Sequence, residues 1–461
     1  MEFSEQLKIY AETHFENRKK YFAPIISEIE AGLSLCSEEE ALLIKFFYGT
    51  MPLRDAGEYP FEIFLSYVRH ALWLRKTIDW CKRLPEDLFV HDVLYYRINS
   101  EDISDCRSFF YEQLKDRIVG LDEYQAAVEI NYWCVEHATY EMADDRTAGP
   151  MTMYRSGKGR CGEESTFTVT ALRSVGLAAR QVYTPRWAHC DDNHAWVEVW
   201  VNGEWHFLGA CEPEEKLDRG WFTGPAGQAL LIHSRTFGDY AAGKREEVIG
   251  RDGAVVCHNV TASYTKTRKL RIQVRKQDNT PAAHAQVSVE ILNMAEYFPA
   301  AVLKTDEQGE TSIRLGLGDI RLQARSEGKF VERYCNLAED GVGAADADCA
   351  VTLVLKDSEA GMKDALSGVS ACEWHLAKLC APKEVVVRES VLSEEEVSRG
   401  TRRLADAVKL REERFDQLTR HAIAVHPEEE ERMRVAGENA EELTAFLEKD
   451  DNPDRKKLLD S

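Results

Sequence analysis

The sequence predicts a multidomain α+β chain with a helical N-terminal region, a mixed α+β core, a β-sandwich and a helical C-terminal region. Three observations carry this. Apolar residues recur at helical spacing over residues 1–125 and return to it after 358. Between 126 and 260, helical segments are followed by strands, two of them joined by Asn202-Gly203. That dipeptide is a strong hairpin signal, because both residues tolerate the positive φ of a type I′ turn. From 265 to 357 the pattern becomes strands with turn signals between them.

In the N-terminal region, 41–48 and 67–74 are amphipathic helices, punctuated by Met51-Pro52-Leu53 and Leu84-Pro85-Glu86. Residues 123–134 are the helix entering the core, and 165–176 form another, stopped by Gly176. Residues 179–184 are a strand, 187–193 a polar loop, 194–201 a second strand and 204–208 its hairpin partner. Alternation over 270–274 and 285–291, and the turn-then-strand form of 305–316, give the sandwich. The tail is highly charged, and Glu394-Glu395-Glu396 and Glu428-Glu429-Glu430-Glu431 are expected to be solvated faces. The chain ends abruptly at Lys456–Ser461, which suits a longer natural protein.

Composition narrows the function. The chain has 461 residues, 44% of them hydrophobic, enough for several cores. A formal charge of −22 argues against nucleic acid as a partner. No apolar run approaches the ~20 residues a membrane span needs, and no secretory leader precedes the first helix. The 12 cysteines are scattered, without framework spacing and without any C-x-x-C pair. This favours a reducing, cytoplasmic compartment and argues against a structural zinc; an extracellular chain stripped of its leader would read the same.

The chemistry concentrates in Gly159-Arg160-Cys161-Gly162-Glu163 and, downstream, Asn193-His194-Ala195-Trp196. Only a thiolate attacks carbonyls well, so a nucleophilic cysteine needs a positive field and a base. Cys161 falls at a helix N-terminus, where the dipole is expected to lower its pKa. His194 opens a strand and supplies the imidazole. Glycines 159 and 162 are expected to let the backbone turn tightly around the thiol. His189, Cys190, Asp191, Asp192 and His194 resemble a ligand cluster, but adjacent ligands on one loop seldom close a tetrahedral site, and no metal is expected. Cys190 and Cys211 read as packing cysteines, and Asn259-Val260-Thr261 as a coincidental sequon.

The order of cysteine on a helix, strand, histidine on a strand and hairpin resembles the transglutaminase-like superfamily, a papain-like cysteine fold, over about 126–256. The motifs are closest to the peptide N-glycanase branch: Arg160-Cys161-Gly162-Glu163, Val175-Gly176-Leu177-Ala178-Ala179-Arg180, His194-Ala195-Trp196-Val197-Glu198-Val199 and Gly209-Ala210-Cys211-Glu212. The resemblance implies acyl transfer through a Cys161 thioester on an amide of a peptide or protein, with His194 moving the proton and no cofactor. Hydrolysis is favoured over crosslinking. It also implies an aromatic oxyanion or cleft residue, for which Trp133, Tyr154 and Trp187 are candidates. The sandwich looks like prealbumin-like or carboxypeptidase-regulatory-like modules.

Two departures matter. The family's histidine-orienting aspartate falls on Gly209. Glu212 is the nearest replacement, although extending the hairpin register would set His194 opposite Cys211 and place Glu212 on the other face unless Pro213 breaks the strand. Asp191, Asp192 or a bare Cys–His dyad are alternatives. The glycanases' paired Cys-x-x-Cys zinc ligands are absent, which weighs against deglycosylation. A catalytically inactive binding or scaffold protein is the alternative from another class.

Overall fold

The computed structural model describes residues 3–142, 147–241, 246–337, 349–357 and 384–449. Cys372, Cys380, the start of the tail at 358 and the terminal Lys456–Ser461 lie outside the described residues.

The N-terminal helices begin where capping chemistry allows. The Ser4 side chain accepts from the Leu7 amide ahead of Glu5–Arg18. Ser37 and Glu40 form a reciprocal capping box ahead of Glu38–Thr50. These helices and Phe61–Thr77 bury Phe15, Phe46, Phe47 and Phe64, in a hydrophobic cluster that continues without a break into Trp133, Phe167, Val197 and Leu208. The change of sequence pattern near residue 125 is therefore not a break between cores.

The central sheet has six strands: β3 (Ala179–Thr184), β4 (His194–Val201), β5 (Glu204–Leu208), β6 (His233–Phe237), β7 (Glu247–Asp252) and β8 (Val255–Asn259), in the order β5-β4-β3-β6-β8-β7. Every pairing is antiparallel. A separate short parallel pair joins β1 (Thr139–Tyr140) to β2 (Lys158–Gly159). The helix Cys161–Ser174 packs on β4 and β3, which buries it almost completely.

The β4–β5 hairpin turns at Asn202 (φ 54°) and Gly203 (φ 92°), as the dipeptide predicts. Its ladder stops at Val197–Leu208, so the extended pairing of His194 with Cys211 does not form. The chain instead folds back over Gly209–Glu212, with Cys211 in the left-handed region at φ 57°. Buried Asn131 fixes this turn: its Nδ2 donates to Gly209 O at 2.8 Å, and its Oδ1 accepts from Cys211 N at 3.1 Å.

The β-sandwich comprises β9 (Thr267–Arg275), β10 (Gln286–Asn293), β11 (Glu296–Lys304), β12 (Glu310–Gly316), β13 (Asp319–Ser326), β14 (Lys329–Asn336) and β15 (Cys349–Val354). One sheet runs β11-β10-β13-β14, the other β12-β9-β15. Alternate residues such as Leu270, Ile272, Val287, Val289, Ile313 and Leu322 meet between them.

C-terminal residues 384–393 strap the core, with Val385 N donating to Gly227 O at 3.0 Å and Ser390 N to Asp218 O at 2.9 Å. The helix Glu394–Val425 then starts in a Ser393–Glu396 capping box. Its acidic first turn is more than a solvated face, since Glu396 also meets Lys216 at 2.9 Å. Further along, Arg403 lies over Tyr132 at 3.7 Å and Phe415 covers Gly157. Gly157 has φ 71°, and a β-carbon there would strike the Phe415 ring, so two constraints require glycine. Among the described residues no helix is long and apolar enough to cross a membrane.

Candidate active site

Cys161 is the first residue of its helix. The turn before it is held from two sides. Arg160 N donates to Glu163 Oε2 at 2.6 Å, and Glu141 N donates to Gly159 O at 2.9 Å. The glycines play different parts from those expected. Gly159 is packed against Met153 and Glu163, whereas a β-carbon on Gly162 would meet nothing. Gly162 thus contributes open space beside the nucleophile.

His194 is the first residue of β4 and is 7% exposed. Its ring lies among Trp221 (4.8 Å between centroids), Phe222 (5.1 Å), Trp196 (5.7 Å) and Trp187 (6.2 Å). The amide of Ala195, the next residue, donates toward the Cys161 thiol. The helix start and the strand start therefore meet, and the two motifs come together.

The electrostatics correct the expectation of a thiol acidified by the helix dipole. Burial is the largest influence on Cys161 and raises its pKa, while the Ala195 and Gly162 amides oppose this. Burial also pushes His194 down to about 4. Both shifts favour the uncharged forms, a thiol at Cys161 and a neutral imidazole at His194.

Glu212 is not hydrogen-bonded to His194. Its Oε2 accepts from Trp221 Nε1 at 2.9 Å, and His194 Nε2 is buried without a hydrogen-bond partner. A β-carbon on Gly209 would lie 2.8 Å from Glu212 Oε2. The Glu212 carboxylate thus fills the space that a side chain at 209 would take. Burial raises its pKa, and the Trp221 N–H opposes that. Buried Glu164, one turn after Cys161, is raised further, first by burial and then by Cys211, Glu212 and Glu163.

The aromatic candidates separate. Trp187 lies in the His194 cluster. Trp133 stacks on Phe167 at 5.6 Å and Tyr154 lies 6.2 Å from Trp133, both within a cluster that includes Phe110. Arg414 covers Tyr154 at 4.3 Å. Asp191 and Asp192 are engaged locally: Asp191 Oδ1 accepts from Met294 N at 2.6 Å and Asp192 Oδ1 from Asn193 N at 2.7 Å. Cys190 is exposed, and buried Cys211 has Thr168 Oγ1 at 3.7 Å. Among the described residues no group of His, Cys, Asp and Glu could hold a metal.

Sequence reasoning missed Trp221, Asn131 and Asn293. Asn293, at the end of β10, reaches from the sandwich into the loop before His194. Its Nδ2 donates to the carbonyls of Cys190 (2.7 Å), Trp187 (2.9 Å) and Asp192 (3.3 Å). The Met294-Ala295 turn, with φ 51° and 58°, was its only sequence signal, as a short break between two alternating runs. Asn293→Ala strands the buried Trp187 carbonyl, while those of Cys190 and Asp192 keep the Asp192 and Trp187 amides as donors, and we expect a loss of about 1 kcal/mol. Urea unfolding measures the loss, and amide exchange should quicken across 187–193.

With this geometry in place, comparison identifies the class. Residues 112–210 match the model of the transglutaminase-like superfamily, so the chain carries a transglutaminase-like core. No curated protein matches the chain. Among solved structures, it is similar to a protein from Cytophaga hutchinsonii provisionally named a cysteine protease, at 16% identity and TM-score 0.23, over 28% of this chain and 44% of that one. It is also similar to red sea bream transglutaminase, at 11% identity and TM-score 0.21, over 50% of this chain and 57% of the other. The alignments span less than two thirds of either structure.

Proposed function

We propose that the chain is a thiol hydrolase that cleaves amide bonds in peptides or proteins through a Cys161 thioester. The observation that carries this is Cys161 at a helix start, with its sulfur against the amide of the residue after His194. The substrate carbonyl enters over open Gly162. As Sγ bonds to the carbonyl carbon, the thiol proton passes to His194. The oxyanion is held by the backbone amide of Cys161 at the helix N-terminus, with Trp187 walling the His194 side. His194 returns the proton to the leaving amine, and water attacks the thioester by the same route. Glu212 is the acid available to steady the imidazolium, from the space beside Gly209. The free cysteines among the described residues support a reducing, cytoplasmic setting. The N-glycanase-like reaction lacks the zinc-binding cysteines and is set behind peptide hydrolysis.

A binding or scaffold role is the second reading, and the unpartnered His194 Nε2 favours it. A peptidyl chloromethyl ketone separates the two. On an enzyme it alkylates Cys161, as mass mapping would show, and misses Cys161→Ala; labelling confined to Cys190 supports the scaffold. The pH profile gives a further expected result. His194 stays unprotonated down to about pH 4, so peptide hydrolysis should hold its kcat/KM at pH 5.5. A base with the ordinary histidine value near 6.5 would already be losing activity there.

A further inference from the structure

Large apolar side chains are exposed at few places in the central part of the chain. Of those described between residues 121 and 357, Tyr140 (54% exposed), Met142 (81%), Trp221 (59%) and Met294 (50%) border the candidate site, while Val302 and Val354 lie elsewhere. The four come from three separate segments. Tyr140 pairs with Gly159, two residues before Cys161, and Met142 lies two residues further on. Trp221 lies against His194 at 4.8 Å. Met294 tips the β10–β11 hairpin, and its amide holds Asp191 in the loop before His194. Between these sides, a β-carbon on Gly162 would meet open space.

Exposed rings and thioethers cost free energy in water, and clusters of them mark binding surfaces. Here the exposed side chains sit on segments next to the candidate nucleophile and base, Tyr140 beside the turn before Cys161 and Trp221 against His194, which decides the occupant. We propose that this rim is a substrate cleft for an extended polypeptide segment carrying bulky apolar side chains on both sides of the scissile amide. Tyr140 and Met142 receive the side chain on the β1 side. Trp221 and Met294 receive the one on the other side of the thiol. Aromatic walls suit this task, since a ring gives large contact area with little entropy lost on binding. The inference rests on Cys161 being the nucleophile, and it makes the sandwich part of the specificity apparatus.

The test uses two peptidyl chloromethyl ketones of equal length, one with phenylalanine beside the reactive carbon and one built of glycine alone. Sγ displaces chloride and forms a thioether in both. The full chain should alkylate at Cys161 at least ~10-fold faster with the phenylalanine probe, the discrimination expected for a buried apolar side chain. The probe carries a residue only on the acyl side of the reactive carbon, so the ratio of the two rates should fall toward one in whichever of Tyr140→Ala and Trp221→Ala removes the acyl-side wall, and should be retained in the other variant and in Val302→Ala. Equal rates with both probes in the unaltered chain, with Cys161 still the labelled residue, would overturn the apolar cleft and leave the nucleophile assignment standing. Absence of any label at Cys161 would remove the nucleophile reading itself. Sedimentation giving a dimer that Tyr140→Ala and Trp221→Ala dissociate, with a probe ratio near one, would reassign the rim to a second copy.

Discussion

Replacing Cys161 by alanine is expected to remove peptide-amide hydrolysis entirely, and replacing His194 by alanine to lower kcat/KM by about 10²–10⁴-fold. The asymmetry comes from the chemistry. Without Cys161 there is no sulfur to form the thioester, and no other described thiol lies at a helix start beside His194. Without His194 the sulfur remains, but burial has raised its pKa. A neutral thiol that must shed its proton to bulk water is a poor nucleophile. His194→Ala should therefore regain rate as pH rises, because hydroxide can do what the imidazole did. The unaltered chain should show no such alkaline climb. Release of a fluorophore from a peptide amide, measured from pH 4.5 to 9, reads both effects. A His194→Ala chain with unchanged kcat/KM and an unchanged profile would exclude the imidazole as base.

The sequence could mark Cys161 and His194 as candidates because each is signalled locally. A cysteine between glycines ahead of an amphipathic stretch, and a histidine at the head of an alternating run closed by Asn-Gly, are periodicity and turn signals that need no tertiary information. The hairpin register was legible for the same reason, as far as Leu208. Past Leu208 the path of the chain was not legible. The turn at Gly209–Glu212 depends on Asn131, whose side chain reaches it from the Glu123–Val135 helix, 78 residues before Gly209 in the chain. Nothing near Cys211 in sequence announces that a distant amide will hold it at positive φ. The contribution of the sandwich was hidden likewise. Asn293 ends an ordinary strand, and only the fold brings it under the His194 loop. The thiol's protonation state was misjudged because a helix dipole can be read from sequence, while the burial that outweighs it cannot.

The second large effect concerns the acid. Exchanging its position, by Gly209→Asp together with Glu212→Ala, is expected to raise kcat about 10-fold or more over Glu212→Ala alone, since an orienting carboxylate can be worth up to four orders of magnitude in such sites. At present the two positions compete for one space. A β-carbon on Gly209 would sit 2.8 Å from Glu212 Oε2 and 3.0 Å from Glu212 Cβ, inside normal contact. Gly209→Asp by itself should accordingly crowd two carboxylates together and destabilise the fold by about 1–3 kcal/mol, as overpacking does. Gly209 does not have a positive φ, so an aspartate there carries no left-handed-backbone penalty; Glu212→Ala removes the 2.8 Å contact with the carboxylate, and the remaining contacts at 3.0 Å to the β-carbon and 3.3 Å to the carbonyl oxygen of residue 212 must relax by a few tenths of an ångström. The aspartate's target is His194 Nε2, which is buried and unpartnered. A carboxylate bonded to that nitrogen favours imidazolium, so the His194 pKa should rise from about 4 and carry the acid limb of kcat/KM upward with it. That shift distinguishes an acid acting on His194 from a merely better-packed turn, which would change thermal stability and leave the limb in place. If the double variant matches Glu212→Ala in both kcat and acid limb, the space beside Gly209 does not serve the histidine, and the orienting role of Glu212 fails with it.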